Sequence, residues 1–360
     1  MARLPRIGFI GCGSHASQNL YPALRLGVYG SPALAEPLGE LVACCDLDEG
    51  KARRNARAYG FERWYTDYRT MLEREELDCC FVVMNPKLQT EIAIDVLGAG
   101  KPVFVEKPAT PTLEGALRLK AACQRAGAFL QIAFMKRFSE PYRRMLEQMR
   151  RSEFGPPTSY EARYTIGRYH PFEAYDFING FACHHLDLAR FVMGEIESVF
   201  ALYASRQGGA AGRPLTYQEV SGQRDAKIAQ EETWLLSLQF ASGAVGFLQT
   251  NCLERVQERV CVTGHGSWVV VDDWRRVTAY VGDTELPYSW EPNTQMPNDR
   301  MDPRTLHGYT GEVRAFVEAV RDGRAGSPNI DDGIAHAKLE LAAKRSLLEN
   351  RPVRVAEVES

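Results

Sequence analysis

The sequence predicts an α/β protein of two domains: an N-terminal doubly wound parallel sheet, followed by an α+β domain with a large open, mostly antiparallel sheet. The chain has 360 residues, enough for two domains of ordinary size. In 1–135, short fully apolar runs alternate with helical stretches, which is typical of a parallel sheet covered on both faces. In 136–360, strand-like runs follow one another directly, so the boundary is placed between the two ranges.

In the first domain, the strands are the short apolar runs and the helices are the longer stretches between them. The predicted strands are 6–11, 41–46, 64–65, 78–84, 102–106 and 129–134; the predicted helices are 16–26, 49–59, 67–75, 89–99 and 112–126. Glycine and proline in 27–39 indicate a long loop before the second strand.

In the second domain, residues 233–240 alternate apolar and polar side chains, which indicates a sheet with one buried face. The predicted strands are 158–165, 197–204, 233–240, 244–250, 258–263, 267–272 and 276–281; the predicted helices are 139–151, 184–193, 310–322 and 332–349. The last helices are candidates to pack back on the first domain. Loops are predicted at 205–230 and 283–305, which are rich in glycine or proline.

Composition excludes several classes of protein. The net charge of −3 argues against a nucleic-acid binder, and no apolar run approaches the ~20 residues that a membrane helix requires. The first residues run straight into a strand, leaving no room for an export signal. The nine cysteines form no C-x-x-C pair, so we predict a cytoplasmic protein with no metal site.

A glycine-rich loop predicts a dinucleotide site. Residues 11–16 read G-C-G-S-H-A between the first strand and the first helix, which is the G-x-G-x-x-A pattern of a Rossmann domain. The first glycine permits a tight turn, and the second lets the backbone approach a pyrophosphate at the positive helix N-terminus. The predicted cofactor contacts here are Gly11, Cys12, Gly13, Ser14 and His15.

Asp46 ends the second apolar strand, where a carboxylate accepts hydrogen bonds from the adenosine ribose and repels a 2′-phosphate. Asp48 adds negative charge, and no basic residue lies between Asp46 and Lys51. We therefore predict NAD as the cofactor, in preference to NADP. The alternative role for Asp46 is an N-cap of the helix that begins near Asp48.

Several motifs resemble one family of oxidoreductases along the whole chain. Glu106-Lys107-Pro108 follows a strand, and Asn85-Pro86 follows the preceding one. The other motifs are A-F-M-K-R-F at 133–138, H-x-x-D from His184 to Asp187, Gly311-Glu312 to Phe316, and Asp332-Gly333. Together with the glycine loop they resemble the Gfo/Idh/MocA family, named for glucose–fructose oxidoreductase, inositol dehydrogenase and a rhizopine-catabolism protein.

The resemblance implies nicotinamide at the domain junction and sugars or cyclitols as substrates. It implies that Asn85, Pro86, Glu106, Lys107 and Pro108 bind cofactor, and that Lys107, often before a cis peptide, contacts both the nicotinamide ribose and the substrate hydroxyl. A partly desolvated lysine beside a cationic ring has a lowered pKa and can remove the hydroxyl proton. Lys107 is therefore a predicted catalytic and substrate-binding residue; the alternative is a solvated lysine paired with Glu106.

His184 is the second predicted catalytic and substrate-binding residue. Its neutral ring accepts a proton near pH 7, and the H-x-x-D resemblance favours it over His185, which points about 100° away on the helix. Asp187, one turn on, could orient a partner or support the helix. The family commonly has an Asp where this chain has Gly180. Candidates to replace that carboxylate are Tyr169, His170, Tyr175 and Asp176.

Three basic residues bear on the charge of the substrate. Lys136, Arg137 and Arg168 could line a cleft for an acidic sugar. Arg137 is included among the predicted substrate contacts. Interdomain ion pairs of Lys136 and Arg137 are the favoured alternative.

The leading functional hypothesis is an NAD-dependent oxidoreductase that transfers a hydride between nicotinamide and a hydroxyl carbon of a sugar, sugar derivative or cyclitol. The alternatives are an NAD-dependent glycoside hydrolase that acts by transient C3 oxidation and elimination, and a non-catalytic NAD-binding protein. The expected partners are a small carbohydrate-type substrate and further copies of the chain, with no nucleic acid and no membrane. A homodimer or homotetramer is predicted because strands 233–240 and 244–250 carry apolar residues on both faces, including Trp234, Leu236 and Phe247.

Overall fold

The computed structural model describes residues 3–26, 37–166, 178–205, 216, 232–252, 256–292 and 301–359. The chain divides into two compact units, Met1–Ser139 with Met301–Ile334, and Glu140–Arg300 with Ala335–Ser360. The segment 301–334 thus groups with the N-terminal part of the chain. Most of the predicted loops 205–230 and 27–39 lies outside the described residues. No helix in the described ranges is both long and apolar enough to cross a bilayer.

Parallel strands form the sheet of the first unit. Its described strands are β1 (Arg6–Ile10), β2 (Glu40–Cys45), β3 (Arg63–Tyr65), β4 (Cys79–Val82), β5 (Val103–Val105) and β6 (Leu130–Ile132). They lie in the order β3-β2-β1-β4-β5-β6, which confirms the predicted doubly wound sheet. In this order, ligands bind beyond the carboxyl ends of the strands, where the direction of winding changes between β1 and β4.

The helices begin and end close to the predicted positions. Those described are α1 (Tyr21–Leu26), α2 (Glu49–Tyr59), α3 (Tyr68–Arg74), α4 (Pro86–Gly98), α5 (Leu113–Ala126), α6 (Glu140–Met149), α7 (Cys183–Met193), α8 (Pro303–His307), α9 (Tyr309–Asp322) and α10 (Ile330–Glu349). Single π-helical turns precede α1 at Ala16–Leu20 and α7 at Ile178–Ala182. Such turns occur often at functional sites.

Aromatic side chains fix α9 on the first sheet. The rings of Phe9 and Phe81 stack with centroids 5.2 Å apart. Phe316 of α9 meets Phe81 edge-on at 5.0 Å and Phe104 at 5.6 Å. All four are fully buried, and burying each side chain contributes roughly 1.5–3 kcal/mol. This packing places the preceding turn of α9 near the carboxyl end of β5.

The second unit contains the mostly antiparallel sheet. Its described strands are β7 (Ser159–Thr165), β8 (Ile196–Ser205), β9 (Glu232–Phe240), β10 (Val245–Asn251), β11 (Gln257–Thr263), β12 (Trp268–Asp272), β13 (Arg276–Tyr280), β14 (Tyr288–Trp290) and β15 (Val353–Arg354). They lie in the order β14-β13-β12-β11-β7-β10-β9-β8-β15, which confirms the large open sheet. Among these strands, the β7–β10 pair is parallel.

The predicted loop 283–305 contains two short elements. The edge strand β14 pairs with β13, and its three residues are too few to show an alternating pattern. Helix α8 begins with Asp302, which accepts the N–H of Arg304, and has Pro303 in its first turn. The proline that indicated a loop therefore starts a helix.

The distribution of apolar side chains between the two faces of the second sheet differs from the prediction in one respect. Trp234 and Leu236 lie on the same face of β9 and are fully buried, so they do not make the other face apolar. The open face instead carries Leu202, Val245 and Phe247, which are 49%, 57% and 39% exposed. It remains an apolar surface built on neighbouring strands.

Candidate active site

The two glycines of the loop have different local roles. Gly11 has φ +103°, and a Cβ there would lie 2.1 Å from the backbone oxygen of Val83. The fold therefore requires glycine at this position, as the tight-turn prediction states. A Cβ at Gly13 would meet no heavy atom within 4 Å. Gly13 is exposed and so leaves open space for a group that approaches the backbone at the start of the helix.

The Asp46 carboxylate accepts a hydrogen bond from the glycine loop and does not cap a helix. Its Oδ2 accepts the N–H of Cys12 at 2.9 Å, and its Oδ1 accepts the N–H of Asp48 at 2.9 Å. Asp48 caps α2 by accepting the N–H of Lys51 at 3.0 Å. The N-cap role considered for Asp46 is therefore wrong. Each carboxylate oxygen retains a lone pair that a ribose hydroxyl could use.

The Glu-Lys-Pro segment follows β5 and is held by one buried amide. The Nε2 group of Gln89 donates to the backbone oxygens of Glu106 at 2.6 Å, Pro108 at 3.2 Å and Ala109 at 3.3 Å. The Lys107–Pro108 peptide is cis. Because Gln89 contacts carbonyls on both sides of Lys107, the backbone of the predicted base is fixed.

Asn85 and Pro86 form the start of helix α4. The Asn85 Oδ1 accepts the N–H of Lys87 at 3.0 Å, and Pro86 follows it in the first turn. This cap places both predicted cofactor contacts beyond β4, at the carboxyl edge of the sheet.

His15 links the glycine loop to Glu106. His15 Nε2 donates to Glu106 Oε1 at 2.8 Å, and Glu106 Oε2 accepts the N–H of Lys107 at 3.1 Å. Burial opposes both charges, but each partner favours the charge of the other. The pKa of Glu106 is therefore lowered and that of His15 raised. The ring of Tyr309 meets His15 edge-on at 5.4 Å.

Glu312 lies on the buried face of α9. Its residue exposure is 0%, and neither carboxyl oxygen has a hydrogen-bond partner among the described residues. Burial, with the negative charge of Glu106, holds the pKa of Glu312 well above its ordinary value, while Lys107 acts in the opposite direction. Glu312 is therefore neutral in conditions where Glu106 is ionised.

Arg137 makes an ion pair within the first unit. Its guanidinium donates to Asp332 Oδ1 at 2.7 Å, and the arginine side chain is only 10% exposed. Lys136, beside it, is buried. Among the described residues, no group of three or more His, Cys, Asp or Glu side chains is placed to hold a metal.

In the second unit, the two adjacent histidines of α7 have different surroundings. His184 is 7% exposed and approaches the rings of Tyr164 and Phe181 edge-on, each at 6.4 Å. His185 is 0% exposed, and its Nε2 lies 3.4 Å from the buried Glu258 Oε1. His185 therefore belongs to the core of this unit.

Asp187, the last residue of the H-x-x-D motif, faces Arg190 at 3.9 Å. Arg190 in turn donates two hydrogen bonds to Glu195, at 3.0 and 2.7 Å. Gly180 is buried in the π turn before α7. The residues considered as replacements for its missing carboxylate, Tyr169, His170, Tyr175 and Asp176, lie outside the described residues, as does Arg168.

Three polar residues at the first-unit site were not assigned a role from the sequence: Gln89, Tyr309 and Glu312. Only Glu312 has a recognisable signal, since it lies on the same helical stripe as Val313 and Phe316, where an apolar residue is expected. Gln89 has none, because its partners are backbone carbonyls about twenty residues away.

The residues of the first unit fit a dinucleotide. The loop leaves open space at Gly13, and the Asp46 carboxylate is fixed beside it by the N–H of Cys12. Two family models match this chain: "Oxidoreductase family, NAD-binding Rossmann fold" over residues 5–134, and "GFO/IDH/MocA C-terminal domain" over residues 142–270. Together they cover most of the chain.

Curated relatives match along nearly the whole length. Myo-inositol 2-dehydrogenase of Thermotoga maritima is 25% identical over 332 residues, covering 88% of this chain and 92% of the relative. The scyllo-inositol 2-dehydrogenase (NAD(+)) of Bacillus subtilis is 26% identical over 340 residues, covering 92% and 94%. A solved levoglucosan dehydrogenase, in complex with NADH and levoglucosan, shares the fold with a TM-score of 0.78 at 18% identity, covering 98% and 100%. The chain belongs to the Gfo/Idh/MocA family and is an NAD-binding oxidoreductase.

Proposed function

We propose that this protein oxidises a secondary hydroxyl of a cyclitol, sugar or sugar derivative, with Lys107 as the base. The observation that carries the proposal is the fixed position of Lys107, whose flanking carbonyls are held by Gln89 and whose neighbour Glu106 is paired with His15. The names of the inositol and levoglucosan dehydrogenases support the substrate class.

In the proposed reaction, the chain binds and orients NAD and moves one proton. The N-terminus of the first helix would hold the pyrophosphate, and Asp46 the adenosine ribose. When bound, NAD accepts the hydride from the carbinol carbon. The neutral amine of Lys107 accepts the hydroxyl proton at Nζ, and in reverse its ammonium donates that proton to the carbonyl oxygen.

The same geometry supports a preference for NAD over NADP. The Asp46 carboxylate is tied to two backbone N–H groups, so it could turn away from a 2′-phosphate only by breaking these bonds. A fixed negative charge at the ribose would repel a phosphate there.

His184 is the second proposed acid–base residue. We expect His184→Ala to lower turnover, by less than removal of Lys107, and to flatten the pH–rate profile near neutrality. His185→Ala is the matched control, and we expect it to lower stability instead, because it removes a fully buried side chain whose Nε2 lies 3.4 Å from the buried Glu258 carboxylate. Turnover, its pH dependence and the melting temperature separate the two effects. Normal turnover in His184→Ala would show that the motif histidine has another role.

We expect the protein to form a homodimer or homotetramer through the open face of the second sheet, where Leu202, Val245 and Phe247 are exposed. Phe247→Arg should shift the mass measured by light scattering toward that of one chain. Leu286→Arg, at an exposed residue outside this face, should not. A wild-type mass of one chain at micromolar concentration contradicts the prediction.

A substrate panel tests the proposed function. Purified protein is mixed with NAD⁺ and with cyclitols, neutral sugars, uronates or aryl glycosides, and the absorbance of reduced nicotinamide is followed. An increase with at least one cyclitol or sugar, matched by formation of its ketone, is the expected result. Release of the aryl group with no net cofactor reduction would indicate the glycosidase alternative, and no reaction would favour a binding protein.

A further inference from the structure

The buried carboxyl of Glu312 is not used by the proposed reaction. Three contacts fix its position on α9: its backbone oxygen accepts Gln131 Nε2 at 2.9 Å, Phe316 packs on Phe104 one turn further on, and Tyr309 meets His15 one turn before. Since Phe104 pairs with Gln131 in the sheet, Glu312 lies at the end of β5, where Glu106 and Lys107 follow.

The groups around Glu312 form a small charged cluster. Glu106 and Lys107 act on it electrostatically from the loop after β5, Tyr309 lies on its own helix, and His15 reaches the cluster through Glu106. Gln131, from β6, contributes no charge. Arg137 lies on a 3-10 turn, Met135–Phe138, that packs against α9. It is paired with Asp332, and the buried Lys136 lies beside it.

A second negative charge is disfavoured in this cluster. Glu106 is already ionised, and the buried carboxyl of Glu312 has no hydrogen-bond donor among the described residues to stabilise its anion. A positive charge placed near Lys107 favours the ionised form of Glu312, because opposite charges attract more strongly in a buried environment than in water.

We propose that Glu312 distinguishes the two redox states of the cofactor: it holds a proton in the free protein, releases it when the cationic nicotinamide of NAD⁺ binds, and keeps it when neutral NADH binds. The inference rests on the proposed function, which places the nicotinamide at Lys107. On release, the O–H bond of the carboxyl breaks, its electron pair stays on oxygen, and the proton passes to solvent. The positive charge of the bound nicotinamide is thus balanced by the negative charge formed on the Glu312 carboxylate.

The coupling between proton release and NAD⁺ binding determines the direction in which NAD⁺ affinity changes with pH. At a pH between the pKa of Glu312 in the NAD⁺ complex and its pKa in the free protein, NAD⁺ binding releases a proton, so NAD⁺ affinity rises with pH by up to about tenfold per unit. The rise ends once the pH exceeds the pKa of Glu312 in the free protein. NADH affinity carries no such contribution. Lys107 and His15 could also lose protons when a cation binds, so the test must separate them from Glu312.

Isothermal titration in two buffers of different ionisation enthalpy, at about pH 6, counts the protons released on binding. We expect wild type to release about one proton more with NAD⁺ than with NADH. Glu312→Gln, which has the shape of the neutral carboxyl, should release about one proton fewer with NAD⁺ and bind NADH as wild type does. Lys107→Gln should retain the release from Glu312. Glu75→Gln, at a buried carboxylate paired with Arg63 in the same unit, should behave as wild type.

Equal proton release by wild type and Glu312→Gln would overturn the inference while leaving NAD binding intact. If Glu312→Gln fails to fold, equal release with NAD⁺ and NADH in wild type overturns it as well. Failure of wild type to bind either cofactor would instead overturn the proposed function.

Discussion

Replacing Lys107 by alanine is expected to lower turnover by about 10²–10⁴-fold, the usual contribution of a general acid–base group. NAD affinity should change far less, because the glycine loop and Asp46 are untouched. The backbone of this segment should keep its position, since Gln89 donates hydrogen bonds to the carbonyls of Glu106 and Pro108, and Glu106 accepts one from the N–H of residue 107.

Lys107→Arg should not restore turnover, although it keeps the positive charge. A guanidinium does not give up its proton at working pH, so it cannot act as the base. Lys101→Ala, at a lysine before the opposite end of β5, is the control for loss of a positive charge away from the site. The measurements are turnover and NAD affinity for the three variants. Full activity in Lys107→Ala would rule out the proposed mechanism.

Alanine at either glycine of the loop should be harmful, but for a different reason at each position. Gly11→Ala places a Cβ 2.1 Å from the Val83 oxygen at φ +103°. Such backbone strain costs about 1–3 kcal/mol before the clash is added. We expect Gly11→Ala to unfold at a clearly lower urea concentration than wild type.

Gly13→Ala should fold like wild type, because its Cβ meets no atom of the chain. It should weaken NAD binding by at least about tenfold, roughly 1.4 kcal/mol, because the methyl group takes the space needed by the pyrophosphate. Urea unfolding and NAD titration of both variants provide the comparison. Wild-type NAD affinity in Gly13→Ala would show that the cofactor does not cross this loop, and wild-type stability in Gly11→Ala would contradict the local geometry.

The order of strands and helices could be predicted because each element carries a local signal. Fully apolar runs such as 102–106 form buried parallel strands, and the alternation in 233–240 gives the half-buried strand β9. Asp48 and Thr112 stand at helix starts and cap them. The short strand β14 is stabilised by its neighbour β13, and no local pattern indicates it.

The contacts of the site depend on distant parts of the chain, which local patterns do not encode. The sequence indicates that His15 and Glu106 belong to separate motifs, but their 2.8 Å contact depends on the packing of β1 and β5 in one sheet. The H-x-x-D pattern and helical geometry distinguish His184 from His185, but Glu258, which lies 3.4 Å from the buried His185, comes from the distant strand β11. Glu312 was matched as part of a motif, yet its buried state depends on the packing of α9 on the sheet.

Transfer of the hydride itself is the most direct test of the proposed function. A substrate found in the panel is prepared with deuterium on the carbinol carbon, and the nicotinamide products are analysed by mass spectrometry after reaction with NAD⁺. We expect one deuterium in the reduced cofactor for each molecule of ketone formed. Reduced cofactor without deuterium, or substrate turnover with no net reduction of NAD⁺, would contradict direct oxidation of a hydroxyl carbon by this protein.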